Sequence, residues 1–130
     1  MFPQPLQSYN MAVISLIPQY QGFEIWKGDD FTQVITATIS GTPVNFTGYT
    51  LRMSVRNSTT NDVALQLETG GSGITATSLG VITISMSATQ TDALVNKDYK
   101  YDLEVTDGSG IIRTYLYGPI AVLTDITGNA

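Results

Sequence analysis

The feature that most constrains the fold of this sequence is a near-regular alternation of apolar and polar side chains between Gly28 and Arg56. Successive side chains of an extended strand point to opposite faces, so the alternation indicates two half-buried β-strands. Gly-Thr-Pro at 41–43 and Thr-Gly at 47–48 supply turn chemistry around them. The side chains predicted to face the core are Phe31, Ile35, Ala37, Ile39, Tyr49, Leu51, Met53 and Val55.

Similar short strands continue along the chain, separated by turn residues about every ten positions. Ser87 and Gln90 have the spacing of a capping box, which predicts a short helix over Ala88–Val95 that crosses between sheets. Together these patterns predict an all-β fold, an immunoglobulin-like antiparallel β-sandwich over residues 21–126 with a tail at 127–130. The other predicted strands are Phe23–Lys27, Val63–Leu67, Ile74–Thr77, Leu79–Met86 and Ile120–Thr124.

The last hairpin allows a register to be predicted, with Asp107-Gly108-Ser109-Gly110 as its loop. Pairing Glu104 with Arg113 joins opposite charges and gathers the apolar residues on one face. This register points Tyr115 and Tyr117 outward, where they are either packed by the N-terminal arm or by another protein, or are ordinary surface tyrosines. The inward pairs would be Val105 with Ile112, Leu103 with Thr114 and Tyr101 with Leu116, and a bulge or a switch between sheets is expected at Gly118-Pro119.

Composition excludes several classes of function. The chain has no cysteine and no histidine, which removes disulfides, thiolate metal sites and every nucleophile activated by histidine. Its net charge of −5 has the wrong sign for a protein that binds nucleic acid or an anionic membrane surface. We therefore expect no enzyme, no cofactor, no metal, no nucleic acid and no membrane among its activities and partners.

Two local charge patterns are candidate sites. Asp29 and Asp30 are adjacent carboxylates, but neighbouring residues of an extended chain point apart and no third ligand has calcium-loop spacing. The favoured interpretation is a turn in which these side chains bind the following backbone N–H groups. Arg52 and Arg56 share one outward face and could clamp a carboxylate, although a solvated strand face is the favoured reading.

Residues 1–20 differ from the remainder of the chain because three prolines interrupt them and no periodicity holds. They are nevertheless more apolar than a solvated tail, so an extended arm that lies along a neighbouring subunit is predicted. The alternative is a disordered leader, with Met11 as the native start. The predicted interface residues are Phe2, Leu6, Tyr9, Val13, Ile14, Leu16 and Ile17 of the arm, together with Tyr115 and Tyr117.

Several short motifs occur in an order that resembles one known family. They are Gly28-Asp29-Asp30, Pro43 to Tyr49 leading into Arg52 and Arg56, Ile82 to Ser85, and Tyr99 to Leu103 with the Asp107-Gly108 turn. The chain from about Glu24 to Val122 resembles the small immunoglobulin-like virion proteins of tailed bacteriophages, related to the N-terminal domain of the upper baseplate protein. The resemblance implies a non-enzymatic β-sandwich that docks onto a larger virion assembly.

The chain is thus expected to be a bacteriophage structural protein of the tail, baseplate or neck. Multiple copies of it would form part of a symmetric virion that is assembled in the host cytoplasm. A capsid cement or decoration protein is the nearest alternative, because an apolar arm could also interlace with coat subunits. A free ligand- or sugar-binding module is more distant, since it would need a concave site rimmed by aromatic residues. Trp26 is the single tryptophan of the chain, which argues against that module.

Overall fold

The computed structural model describes residues 11–13, as backbone only, and residues 19–124 of the 130-residue chain. These residues form two facing β-sheets, which confirms the predicted immunoglobulin-like β-sandwich. The strands are β1 (Met11–Val13), β2 (Gln19–Tyr20), β3 (Phe23–Trp26), β4 (Phe31–Ile39), β5 (Thr42–Pro43), β6 (Thr50–Asn57), β7 (Val63–Glu68), β8 (Ile74–Ala76), β9 (Val81–Met86), β10 (Asp98–Thr106) and β11 (Ile112–Leu123), and the helix is α1 (Ala88–Asp92).

Sheet I has the strand order β1-β4-β9-β8, with β5 also paired to β4, and sheet II has the order β2-β11-β10-β6-β7, with β3 also paired to β11. Most neighbouring strands are antiparallel, but β1 runs parallel to β4, and β2 and β3 run parallel to β11. The helix α1 follows β9 of sheet I and precedes β10 of sheet II, so it crosses between the sheets as predicted.

The core lies between the sheets and is built from alternate residues of each long strand. The predicted alternation in β6 is confirmed, because Leu51, Met53 and Val55 are completely buried. Burial of apolar surface at about 25 cal/mol per Å² makes this layer the main source of stability. The largest fully buried side chains are Ile25, Leu51, Met53, Leu67, Ile82, Ile84, Met86, Leu94, Leu103, Leu116, Ile120 and Val55.

One predicted core residue of β4 is not in the core. Ile39 is 50% exposed. Strand β9 pairs only with Phe31–Thr36 of β4, so Ile39 lies beyond the end of that pairing. Its neighbour there is the two-residue strand β5. The alternation therefore predicts the face on which a residue lies, but the neighbouring strands decide whether that face is covered at a given position.

The predicted register of the last hairpin is wrong. It is already off by one residue next to the loop, where Val105 pairs with Arg113, and a β-bulge then shifts the pairing by one more residue. Glu104 pairs with Thr114 and Leu103 with Leu116, so Tyr115 has no partner on β10. Such an extra residue makes two consecutive side chains point the same way, and both Tyr115 and Leu116 are buried. The bulge lies here rather than at Gly118-Pro119, which are paired residues within β11.

Two further predictions for this hairpin change with the register. Ile112 pairs with Thr106 and is 62% exposed, so its predicted inward position is wrong. Arg113 does not pair with Glu104 but lies 3.9 Å from the carboxylate of Asp107 in the loop. That carboxylate also accepts hydrogen bonds from the backbone N–H groups of Ser109 and Ile111, which is the chemistry of a tight turn.

The helix α1 begins with the predicted capping box. Ser87 Oγ accepts a hydrogen bond from the N–H of Gln90, and the Gln90 side chain accepts one from the N–H of Ser87. The helix is shorter than predicted, ending at Asp92 rather than Val95. Its first turn is additionally bound by Asp30, whose carboxylate accepts a hydrogen bond from the N–H of Ala88.

Part of the predicted N-terminal arm lies against the sandwich of the same chain. The backbone of Met11–Val13 pairs with residues 36–38 of β4, and Gln19–Tyr20 pair with Leu116 and Tyr117 of β11. Residues 1–10 and 14–18 lie outside the described residues, as does the predicted tail at 127–130. The predicted boundary between arm and sandwich at residues 20 and 21 therefore stays a prediction.

Tyr101 fixes the segment that connects β2 to β3. Its hydroxyl donates a hydrogen bond of 2.6 Å to the carbonyl oxygen of Gln21, and its ring stacks on Phe23 with the centroids 4.8 Å apart. Burial raises the pKa of the Tyr101 hydroxyl, with a smaller contribution in the same direction from Tyr20. The neutral, hydrogen-bonded phenol thus holds the N-terminal strands on sheet II.

Replacing Tyr101 with Phe removes this hydrogen bond while leaving the ring stack on Phe23. We expect the free energy of unfolding to fall by about 1 kcal/mol, the usual net contribution of one such bond. Because a raised pKa in the folded state stabilises the fold below the unfolded pKa, this contribution should also be lost as pH rises above about 10. Urea denaturation at neutral and alkaline pH measures both effects, and an unchanged stability at neutral pH would contradict the assignment.

Gly118 is required because β11 passes very close to the same connecting segment. A Cβ atom at this position would lie 2.3 Å from the carbonyl oxygen of Gln21 and 2.8 Å from its carbonyl carbon. We expect Gly118→Ala to reduce the free energy of unfolding by about 1–3 kcal/mol, because backbone must move to relieve the overlap. Gly108→Ala is the matched control, since a Cβ there meets nothing within 4 Å. Equal unfolding midpoints for the two variants in urea would argue against the close approach.

Candidate protein-interaction surface

The outer face of sheet II carries a continuous row of apolar side chains along β11. In β11 the residues after the bulge alternate between inward and outward, and every outward position from Tyr117 to Leu123 is apolar. The parallel pairing places Tyr20 beside Tyr117 and Trp26 beside Leu123, at the two ends of this row. We call this surface the apolar strip, and its residues are Tyr20, Trp26, Tyr117, Pro119, Ala121 and Leu123.

Aromatic side chains form the two ends of the apolar strip and are well exposed. Tyr20 and Tyr117 are 66% and 43% exposed, and Trp26 is 46% exposed. The rings of Tyr20 and Tyr117 meet edge to face with their centroids 5.4 Å apart, which limits the freedom of both side chains. Tyrosine and tryptophan held in this way are the residues that most often anchor protein–protein contacts.

Charged side chains border the apolar strip along its length. On β10 the outward residues Asp102, Lys100 and Asp98 are paired with Tyr117, Pro119 and Ala121 of the strip, respectively. On the opposite side Glu24 of β3 is paired with Ala121. The border therefore contains three carboxylates and one ammonium group, an arrangement in which an apolar centre has a predominantly acidic rim.

Pro119 and Ala121 of the apolar strip also line an open pocket of about 870 Å³. The pocket is not confined to the outer face of sheet II, because its lining also includes the core-facing Phe23, Tyr99 and Ile120. Gln33 of sheet I lines it as well.

Tyr115 and Tyr117, the two sandwich residues in the predicted interface, are separated by the bulge. Tyr117 is outward as predicted, whereas the predicted outward position of Tyr115 is wrong, because this residue is only 9% exposed. The Tyr115 ring lies 6.4 Å from that of Phe46, and burial, followed by the nearby Tyr49, raises the pKa of its hydroxyl. The predicted arm residues other than Val13 lie outside the described residues, and for Val13 only the backbone is described.

The segment Gly28–Asp30 anchors α1 through the Asp30 carboxylate and through backbone groups of Gly28 and Asp29. Asp30 binds the backbone of the helix instead of its own turn, so the predicted hydrogen bonds to the following residues are wrong for this side chain. The hydroxyl of the buried Thr91 donates to the carbonyl oxygen of Asp29 and accepts from the N–H of Gly28. In the part of the chain that the structure describes, no group of three acidic, histidine or cysteine side chains could hold a metal ion.

The arginines predicted to share an outward face have partners within the chain. Arg52 lies 3.9 Å from the carboxylate of Glu68 on the neighbouring strand β7. Arg56 donates a hydrogen bond to the carbonyl oxygen of Asn61 in the loop before β7. These contacts account for both charges as features of a solvated sheet face. Among the described helices, none is long and apolar enough to cross a membrane.

Comparison with known proteins extends these observations at the level of the fold. No protein-family profile and no curated protein matches this sequence. Among solved structures, the chain is similar to the N-terminal domain of phage TP901-1 ORF48, with a TM-score of 0.56 and 14% sequence identity over 87% of this chain and 96% of that domain.

Two further solved structures are less similar. CopC from Methylosinus trichosporium OB3b gives a TM-score of 0.41 at 13% identity, over 82% of this chain and 84% of CopC. The extracellular domains 3–5 of Drosophila OTK give a TM-score of 0.37 at 14% identity, over 80% of this chain and 32% of that one. Of these three structures, only the phage domain is similar enough to be informative. Because the sequence identity is 14%, the similarity shows that the two chains share a fold and nothing more.

Proposed function

We propose that this chain is a non-enzymatic structural protein of a tailed bacteriophage virion. The observation that carries the proposal is the likeness to the phage domain, which extends over 96% of that domain and 87% of this chain. The motifs that resemble immunoglobulin-like virion proteins lie within the described sandwich, so sequence and fold favour the same class of protein. A sandwich whose core is filled by its own side chains offers its outer surface for assembly.

The surface chemistry supports a role in protein–protein assembly. The chain has no histidine or cysteine, and its net charge is −5. The apolar strip joins exposed aromatic side chains to an acidic border, which is the composition of a docking surface. In the proposal the N-terminal arm and the sandwich together bind other virion proteins of the tail, baseplate or neck. Each symmetric particle contains multiple copies of the chain.

Direct examination of virions tests this function. Particles of the phage that encodes the chain would be purified by density and analysed by mass spectrometry against isotope-labelled peptide standards. We expect a fixed number of copies per particle, and labelling with gold-conjugated antibodies should mark the tail, baseplate or neck. Labelling of the capsid would favour a decoration protein instead. Absence of the chain from purified particles, with abundant chain in the lysate, would exclude a structural role.

Deleting residues 1–10 tests the contribution of the arm to assembly. All described strands begin at Met11 or later, so the shortened chain should keep its far-ultraviolet circular dichroism and its melting temperature. A larger deletion of residues 1–19 would also remove β1 and the first residue of β2. We expect the copies per virion to fall at least tenfold, because the docking segment has been removed.

A control variant separates the sequence of this segment from its length. In it, residues 1–10 are replaced by ten glycine and serine residues, and incorporation should fall as it does for the deletion. Normal incorporation of the deleted chain would contradict docking through the arm. If the control is incorporated normally and the deleted chain is not, incorporation depends on the length of residues 1–10 and not on their sequence.

A further inference from the structure

We infer that the apolar strip of one copy binds residues 1–10 of a second copy of this chain. This inference rests on the proposed function, in which the arm is a docking element, and it specifies the surface that receives the arm. The strip offers exposed rings at both ends, with Pro119 and Ala121 between them on β11. The exposed side chains of Tyr20, Trp26 and Tyr117 show where a partner gains most from burial, since rings of this size dominate interface energies.

The sequence of residues 1–10, MFPQPLQSYN, has the chemistry that the apolar strip accepts. It contains no charged side chain, so it meets the carboxylates of the border without bringing an unpaired charge into the contact. Pro3 and Pro5 favour an extended polyproline conformation, which binds to aromatic-lined grooves at low entropic cost. Phe2 and Leu6 supply apolar side chains for the spaces between the rings.

The lengths of the segment and the strip also agree. From Tyr117 to Leu123 the strip covers six residue steps of β11, roughly 20 Å at the usual rise of a strand. Ten residues in a polyproline conformation extend about 31 Å. Residues 1–10 can therefore cover the whole strip and still leave a few residues to connect to the sandwich of their own copy.

Binding of the arm is favoured over face-to-face pairing of two strips. Each strip is bordered by Glu24, Asp98 and Asp102, with Lys100 as the single cation among these border residues. Packing two such faces together would bring predominantly acidic borders against each other in chains that each carry a net charge of −5. An uncharged segment avoids this repulsion.

A second copy is favoured over the same copy by the position of Met11. The backbone of Met11–Val13 lies on β4 at the edge of sheet I, whereas the strip is on the outer face of sheet II. Contact between copies also links each subunit to the next, which is how a repeated structural protein extends around a symmetric particle.

Photocrosslinking in the full-length chain tests the inference. p-Benzoylphenylalanine is placed at position 2 instead of Phe2, and equal amounts of ¹⁴N-labelled and ¹⁵N-labelled chains are mixed before irradiation. We expect crosslinked peptides that join position 2 to residues 19–26 or 117–123, with mixed isotopes in about half of them, as random pairing of two equal populations requires. The yield should rise with protein concentration, as for any association between copies.

Variants of the receiving surface provide the quantitative comparison. Tyr117→Ser removes one of the two tyrosine rings at one end of the strip, and Ala121→Gln places a larger polar side chain in the middle of the strip without adding charge. Each should weaken association, measured by sedimentation over a concentration series, by about tenfold or more. Leu79→Ser is the matched control, because Leu79 is 70% exposed in the loop between β8 and β9, away from sheet II, and association should be unchanged.

Two kinds of result would overturn the inference. Crosslinks that contain one isotope only would show that the arm binds its own copy. Crosslinks to other surfaces, or association that is as strong in Tyr117→Ser and Ala121→Gln as in Leu79→Ser, would exclude the strip. If the chain is a component of purified virions but fails this test, the proposed function stands and the inference fails. If the crosslinks form but virions lack the chain, the proposed function fails instead.

Discussion

The β-bulge at Tyr115 determines the surface that this sandwich presents. By adding one unpaired residue to β11, it places Tyr115 and Leu116 both in the interior and reverses the alternation for the remainder of the strand. Ile120 and Val122 are consequently buried, while Tyr117, Pro119, Ala121 and Leu123 face outward. Without the bulge, the same residues would exchange faces, because a shift of one residue moves every side chain of a strand to the opposite side. The apolar strip therefore follows from one local irregularity in backbone pairing.

The sequence predicted the fold class, the strand faces before the last hairpin and the capping box of α1, because each depends on local periodicity or on a short motif. The hairpin register could not be predicted in the same way, since pairing Glu104 with Arg113 satisfied both the charges and the apolar pattern. The observed register differs by burying Tyr115 beside Leu116 and exposing Ile112, which depends on the bulge and on tertiary packing. Of the candidate surface, Tyr117 was predicted from the sequence. The apolar residues at every second position from 117 to 123 were the signal for the remaining β11 residues of the strip. Tyr20 and Trp26 join the strip only through the parallel pairing of β2 and β3 with β11, which the sequence does not reveal.

The buried core and the candidate interaction surface lie on opposite faces of the same strands. The inward face of β10 carries Tyr99, Tyr101, Leu103 and Val105, whereas its outward face carries the charged border of the strip. Because the interior is filled by the chain's own side chains, substitutions on the outer face can change assembly with little effect on folding. The hydrogen bond from Tyr101 to Gln21 holds the segment that links Tyr20 of the strip to Phe23 of the core. A change in this bond would therefore affect both the core and the strip.

The parallel pairing of β3 with β11 gives the domain a defined response to mechanical tension. The chain enters β3 at Phe23 and leaves β11 at Leu123, which are at opposite ends of the paired segment. Tension between these two points acts along the strands in opposite directions and loads the intervening backbone hydrogen bonds in shear, so that they must break together rather than one after another. A domain pulled through Phe23 and Leu123 would therefore resist unfolding until this set of hydrogen bonds broke.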